Sequence, residues 1–441
     1  MKRLLLAILF SPLALVAQKN YPQLMDNFMS AHVNVREFSG SVFLMQKGKV
    51  IYEKGFGLAD REWNIPNTIE TKYRIGSITK QFTAACIMQL AEQGKLSLAD
   101  KLSKYISDYP KGDSVSIHML LTHTSGIKGY TEMPAFWPKA ALALEPDSMI
   151  ALFKREPYDF PPGTQWNYSN SGYFLLGYII EKVSGSSYSD YLLKNVIHKA
   201  GLKNTMVDRI DSILQYRAKG YDKDGNNWKN AMFISMEGPF SAGAMVSTVH
   251  DLQIWMKALM ENQVISAASV SKMTTPYKNN YGYGLTIDSL ARHKRIGHSG
   301  GIPGFNSYLG YFPSDDIYAI AISNSSSNAS SVANGLASIL LDIPVFTPYI
   351  PKAITLPDLQ LNRFIGTYTS PNSTVNIIRK GNALYRQRKG TNDIELKVES
   401  GTRLFYADGS DRFIEFEFDE NNRFLHATLL NGAERADLIK K

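Results

Sequence analysis

Gly76-Ser77-Ile78-Thr79-Lys80-Gln81-Phe82-Thr83 is the stretch on which the reading of this chain turns. Ser77 opens a helical pattern: Phe82, Cys86 and Leu90 recur every four residues as an apolar stripe, and Gly94 stands where a C-terminal cap belongs. Residues i and i+3 share a helix face, so the Lys80 amine falls beside the Ser77 hydroxyl. Cys86 lies about 180° round from Ser77 and belongs to the core. Upstream, Gly40 to Asp60 reads as a β-hairpin with its turn at Lys47-Gly48-Lys49.

Downstream, helices are expected over Tyr173 to Val183, ended by Ser184-Gly185, and over Val249 to Met260, where Thr248 and Asp251 have capping-box spacing. Loops rich in Pro, Gly and Trp, at Met133 to Pro138 and Phe160 to Gly163, are long enough to shape a cleft. Strands are expected at Gly282 to Ile287, Ser307 to Phe312 and Ile317 to Ser323, then a helix over Ser330 to Leu341. A hairpin, a helical middle and returning strands make an α/β sandwich, an antiparallel sheet flanked by helices with a helical subdomain, over residues 18–343. Pro344, Pro348, Pro351 and Pro357 mark a stiff linker over residues 344–357. Beyond it, Ile394, Leu396 and Val398, then Ile414, Phe416 and Phe418, alternate with other residues, so residues 358–441 read as a small β-barrel of lipocalin-like form or a sandwich.

The chain of 441 residues holds 44% hydrophobic and 20% charged residues, which excludes disorder, collagen and coiled coil. Its net charge of +8 is spread along the chain and points neither to a nucleic-acid groove nor to a membrane patch. One cysteine, Cys86, excludes an internal disulfide and paired-thiolate sites. Lys2 and Arg3 followed by Leu4 to Phe10 and Leu13 to Ala17 form a signal-peptide pattern over residues 1–17, so a secreted or periplasmic location is expected. No later run reaches the ~18 apolar residues of a membrane helix.

Serine is a poor nucleophile at neutral pH, and a lysine partly desolvated in a cleft can lose its charge and take the hydroxyl proton. Ser-x-x-Lys recurs at Ser125/Lys128 and Ser269/Lys272, so the spacing alone is a weak signal, and the company of Ser77 decides. Tyr168-Ser169-Asn170, in a loop before a helix, offers a phenol and an amide side by side. A phenol near a lysine cation has a lowered pKa and can exchange protons with a leaving group. Gly297-His298-Ser299-Gly300-Gly301 lies between strand-like segments, and its glycines allow a backbone edge to approach substrate. The Gly301 N–H with that of Ser77 makes a candidate oxyanion hole.

These three elements, with Ser77 and Tyr168 separated by 91 residues and Tyr168 and His298 by 130, resemble the serine β-lactamase-like family, in the branch of class C β-lactamases, D-alanyl-D-alanine carboxypeptidases and esterases. Leu120-Leu121-Thr122-His123-Thr124-Ser125-Gly126 and the text around Tyr168 extend the likeness, which covers residues ~25–342. The resemblance implies a serine hydrolase working through an acyl-enzyme: Ser77 as nucleophile, Lys80 as its proton partner, Tyr168 as general acid/base, Asn170 as substrate ligand, and Ser77 with Gly301 as oxyanion hole. It implies no cofactor and no metal. The substrate is then a small peptide, ester or lactam, with cell-wall peptide among the candidates. β-Lactamases of this branch carry Lys-Thr-Gly where this chain has His298-Ser299-Gly300; the histidine gives a weaker, pH-dependent charge for a substrate carboxylate. A D-amino-acid peptide or small ester is therefore favoured over a β-lactam.

Three other readings fit less well. Gly297 to Gly301 also matches the nucleophile elbow Gly-x-Ser-x-Gly, with Ser299 as nucleophile, but Pro303 and Gly304 oppose the helix that must follow. His118/His123 and His293/His298 are five apart rather than four, against a helical metal site. A catalytically silent binding or sensor protein would not need the whole set of groups.

Overall fold

The computed structural model describes residues 19–225, 227–370, 373–387, 392–431 and 434–441. The leader read over residues 1–17 lies outside them. Six antiparallel strands form the central sheet in the order β3-β4-β5-β6-β1-β2: β1 (Gly40–Gln46), β2 (Lys49–Phe56), β3 (Thr286–Leu290), β4 (His293–Ile302), β5 (Phe305–Phe312) and β6 (Ile317–Ser323). The N-terminal hairpin thus pairs with the last strand, Val42 opposite Ala321. Strand alternation sorts the residues onto two cores. Phe43, Leu309, Ile320 and Ile322 face the helical layer that contains residues 79–92, whereas Val42, Leu44, Phe312 and Ala321 face α1 (Tyr21–Arg36) and α5 (Ala329–Leu340).

Helix α1 has no counterpart in the sequence reading. Its buried Met25, Phe28 and Met29 pack against α5, but His32 interrupts its apolar stripe and weakens the periodic signal. Helices α2 (Thr79–Glu92), α3 (Asn170–Ser184) and α4 (Val249–Met260) fall where expected. The Phe82 ring stacks on Trp255 at 4.0 Å between centroids and ties α2 to α4. Burying such a side chain contributes about 1.5–3 kcal/mol. Thr248 caps α4 by accepting from Asp251 N–H at 3.2 Å, yet the Asp251 carboxylate turns away and accepts from Asn204 N–H at 2.7 Å, so the box is half formed.

Three local expectations are corrected. The segment Gly282 to Leu285 is a bend, with its glycine at 284 left-handed, and the strand runs from Thr286 to Leu290. Asn170 is the first residue of α3 rather than a loop residue, because Ser169 accepts from Gly172 N–H at 3.3 Å and caps the helix one residue earlier. Gly297 to Gly301 lie within β4, since each residue pairs with β5 from Gly310 to Asn306.

Eight strands form the closed C-terminal barrel: β7 (Gly366–Ser370), β8 (Ser373–Lys380), β9 (Ala383–Gln387), β10 (Ile394–Ser400), β11 (Arg403–Tyr406), β12 (Arg412–Phe418), β13 (Phe424–Asn431) and β14 (Glu434–Lys440). Closure comes from Tyr368 opposite Lys440. The alternating Leu396, Val398, Ile414 and Phe416 fill its interior, while Phe413 on the outer face packs on Phe346 and Tyr349 of the linker. Among the described residues no helix is long and apolar enough to cross a membrane.

Candidate active site

Ser77 sits in a tight turn, Gly76–Ile78, that runs directly into α2, so the i, i+3 relation survives although Ser77 precedes the regular helix. Lys80 is fully buried, and its Nζ lies 3.1 Å from Ser77 Oγ, 2.7 Å from Asn170 Oδ1 and 2.8 Å from the Ala242 carbonyl oxygen. Burial pushes the Lys80 ammonium well below the ordinary lysine range, and among the described residues no carboxylate counters it. In its neutral form the amine has two N–H bonds and one lone pair. Asn170 Oδ1 and Ala242 O can only accept, so in that form they would take the two N–H bonds and leave the lone pair for the Ser77 hydroxyl proton. The two carbonyls thereby aim the base.

Tyr168 completes this group. Its ring centroid is 4.8 Å from Lys80 Nζ, and its hydroxyl is buried with no full hydrogen bond among the described residues. Burial raises the Tyr168 pKa, and the neighbouring Ser77 hydroxyl offsets only part of that rise. The expected lowering by a lysine cation is not found, because burial dominates and lifts the phenol. Tyr168 is therefore a phenol at neutral pH, suited to giving a proton.

Asn170 is engaged at both ends: Oδ1 accepts from Lys80, and Nδ2 donates to Thr131 Oγ1 at 2.9 Å. One amide N–H remains for substrate. The backbone of β4 closes the other side. A Cβ on Gly76, whose φ is +49°, would stand 2.9 Å from the Gly301 nitrogen, and one on Gly300 would stand 2.0 Å from the Ile75 carbonyl oxygen. Only glycine lets this strand lie against the nucleophile turn. Beside Gly301 the space is open. The N–H groups of Ser77 and Gly301 are thus neighbours on the wall where a tetrahedral oxyanion would form.

His298 differs from its expected role. It is 6% exposed, its Nδ1–H donates to the Ser299 carbonyl oxygen at 2.5 Å, and its Nε2 accepts from the Tyr281 hydroxyl at 2.9 Å. Burial, and then Lys80, push its pKa down to about 4. The ring is neutral with both nitrogens engaged, so it offers no charge to a carboxylate. Ser299, exposed on the opposite face of β4, has no helix after it, and the elbow reading fails.

Two positions carry more weight here than the sequence alone could assign them. His123, with φ +58°, brackets Tyr168: its Nδ1 accepts from Ser169 N–H at 3.1 Å, and its carbonyl accepts from Asn167 N–H at 3.1 Å. Its ring lies 4.3 Å from that of Tyr168. Tyr281, fixing the His298 tautomer, falls in a segment without regular structure and gave no periodic signal. Outside the site, Lys128 pairs with Asp159, and Ser269 lies within the short helix Ala267–Met273. His118 and His293 bond Tyr283 and Asp315.

The family model of β-lactamases matches residues 23–342. PbpX of Bacillus subtilis (strain 168), named a penicillin-binding protein, is 32% identical over 295 residues, covering 66% of this chain and 72% of its own. A second penicillin-binding protein of the same organism is 28% identical over 402 residues, covering 84% and 88%. Among solved structures, an octameric penicillin-binding protein homologue from Pyrococcus abyssi superposes with a TM-score of 0.68 at 29% identity, over 95% of this chain and 99% of that one. A D-amino acid amidase from Ochrobactrum anthropi SV3, complexed with L-phenylalanine, gives 0.62 at 26% identity over 73% and 98%.

Proposed function

This chain belongs to the β-lactamase family, a serine hydrolase family, and on that premise we propose that it is an amidase or esterase acting through an acyl-enzyme on D-amino-acid amides, D-alanyl peptides or small esters. The observation that carries the reading is the fully buried Lys80 amine, 3.1 Å from Ser77 Oγ and donating to the Asn170 and Ala242 carbonyl oxygens. Ser77 Oγ attacks the acyl carbon as its proton passes to Lys80 Nζ. The carbonyl oxygen takes the negative charge, held by the N–H groups of Ser77 and Gly301. On collapse the bond to the amine or alcohol breaks, and Tyr168 gives that leaving group its proton. The Lys80 ammonium then reprotonates the Tyr168 phenolate. Water repeats the sequence on the ester and frees Ser77.

The neutral His298 separates the candidate donors. With no cation at that place, a donor bearing a free carboxylate gains nothing there, so uncharged amides and esters should acylate faster than D-Ala-D-Ala peptides or β-lactams. The likeness to a D-amino acid amidase supports this order. The test is intact-mass detection of adducts and hydrolysis rates over the four donor classes. A Ser77 adduct formed fastest with an amide or ester is expected, whereas preference for β-lactams would overturn the donor assignment, and no adduct with any class would leave a silent binding protein. We also propose export, supported by the apolar leader over residues 1–17; a mature protein from its host that retains those residues would refute it.

A further inference from the structure

Arg386, Tyr406 and Arg412 meet at one mouth of the barrel, where β9 and β11 end and β12 begins. Opposed residues of an antiparallel pair point to the same face, and so do residues two apart on one strand. Arg386 stands opposite Ile377, Tyr406 opposite Leu396, and Arg412 two residues before Ile414. Ile377, Leu396 and Ile414 belong to the barrel core, so Arg386, Tyr406 and Arg412 point inward and form its last layer on this side.

This layer holds more positive charge than it pairs. The guanidinium carbons of Arg412 and Arg386 lie 4.3 and 5.7 Å from the centroid of the Tyr406 ring. Arg412 is paired with Asp408, and its Nε donates to Ser410 Oγ at 2.9 Å. Arg386 has no carboxylate partner among the described residues, and its Nε is buried without a hydrogen bond. Asp393, just before β10, is taken by Lys380 at 2.7 Å. A guanidinium does not lose its proton, so burial cannot remove this charge and only an anion can balance it. Tyr406 adds a second orphan: it is 1% exposed, yet its hydroxyl makes no full hydrogen bond among the described residues. Burial pushes its pKa up, with Arg386 and Arg412 offsetting only part of that rise, so the hydroxyl keeps its proton as a donor. Leaving such donors dry and unpaired is costly.

We propose that this mouth is a second binding site, taking a monoanionic organic carboxylate. The fork of Arg386 matches two carboxylate oxygens, the Tyr406 hydroxyl donates to one of them, and a single negative charge balances the unpaired guanidinium. Leu384, Leu396 and Ile414 fill the interior beneath, so the carboxylate enters alone and the rest of the ligand stays outside the barrel. The site shares no residue with the acylation machinery and does not depend on the reaction proposed there.

The test is saturation-transfer NMR and calorimetry on the full chain with acetate, butyrate and benzoate, alongside inorganic phosphate and acetamide. Saturable binding of at least one carboxylate is expected, unchanged in Ser77→Ala, weakened about tenfold or more in Arg386→Met and about threefold in Tyr406→Phe. Should Arg386→Met fail to melt cooperatively, Arg386→Lys keeps the charge without the fork and should still weaken binding severalfold. No saturable binding of any carboxylate, binding that survives the Arg386 or Tyr406 variants, loss in Ser77→Ala, or tighter binding of phosphate or acetamide would each overturn the proposal.

Discussion

Around Lys80 the chain buries an amine among Tyr168, Tyr173 and Asn170 with no carboxylate to pair it, whereas at the domain junction it sets Arg36 against Asp411 and Lys223 against Glu37. The first region disfavours charge by burial; the second keeps charge and neutralises it by pairing. The difference is one of chemistry. A lysine whose pKa burial lowers can act as a base, whereas an ion pair holds its two segments together.

The largest effect that would break this contrast is loss of the unpaired amine. Ser77→Ala and Lys80→Ala should each lower acylation about 10³-fold or more with folding intact, as read by burst kinetics and circular dichroism. Tyr168→Phe should cost about 10²–10³-fold, and most for donors with poor leaving groups. The pH profile sharpens the point. Lys80 must be neutral to accept the Ser77 proton, so kcat/KM should rise as pH increases through its lowered pKa and fall again only above the ordinary tyrosine range, where Tyr168 ionises. In Tyr168→Phe the alkaline fall should vanish while the acid limb stays.

Smaller effects separate positioning from packing. His123→Ala should reduce kcat about tenfold or more with little change in KM, because it releases the backbone on both sides of Tyr168 without touching the reacting atoms. An equal loss of stability and activity would instead make His123 a packing residue. Smallest of all, Arg36→Ala should lower stability by about 1–2 kcal/mol and leave acylation unchanged, since that pair is partly exposed.

Much of this was legible in the text of the chain. Ser77 and Lys80 are three residues apart, and helix geometry alone puts them together. The α2 and α4 stripes and the barrel alternation are likewise periodic and local. Local signals mislead elsewhere: glycines at 297, 300 and 301 suggest a break between strands, but they belong to a strand that must lie against the Ser77 turn. Helix α1 was missed because a buried histidine stands on its apolar face.

The sequence by itself determined the division into a sandwich and a barrel and the closeness of Ser77 to Lys80, because periodicity and short spacings are properties of neighbours along the chain. Only the tertiary structure decided the direction of each titration: Lys80 pushed down by burial, Tyr168 pushed up, and His298 pushed down beside Tyr281. A pKa depends on how much water is removed and which groups from distant segments replace it, and no spacing between letters records that.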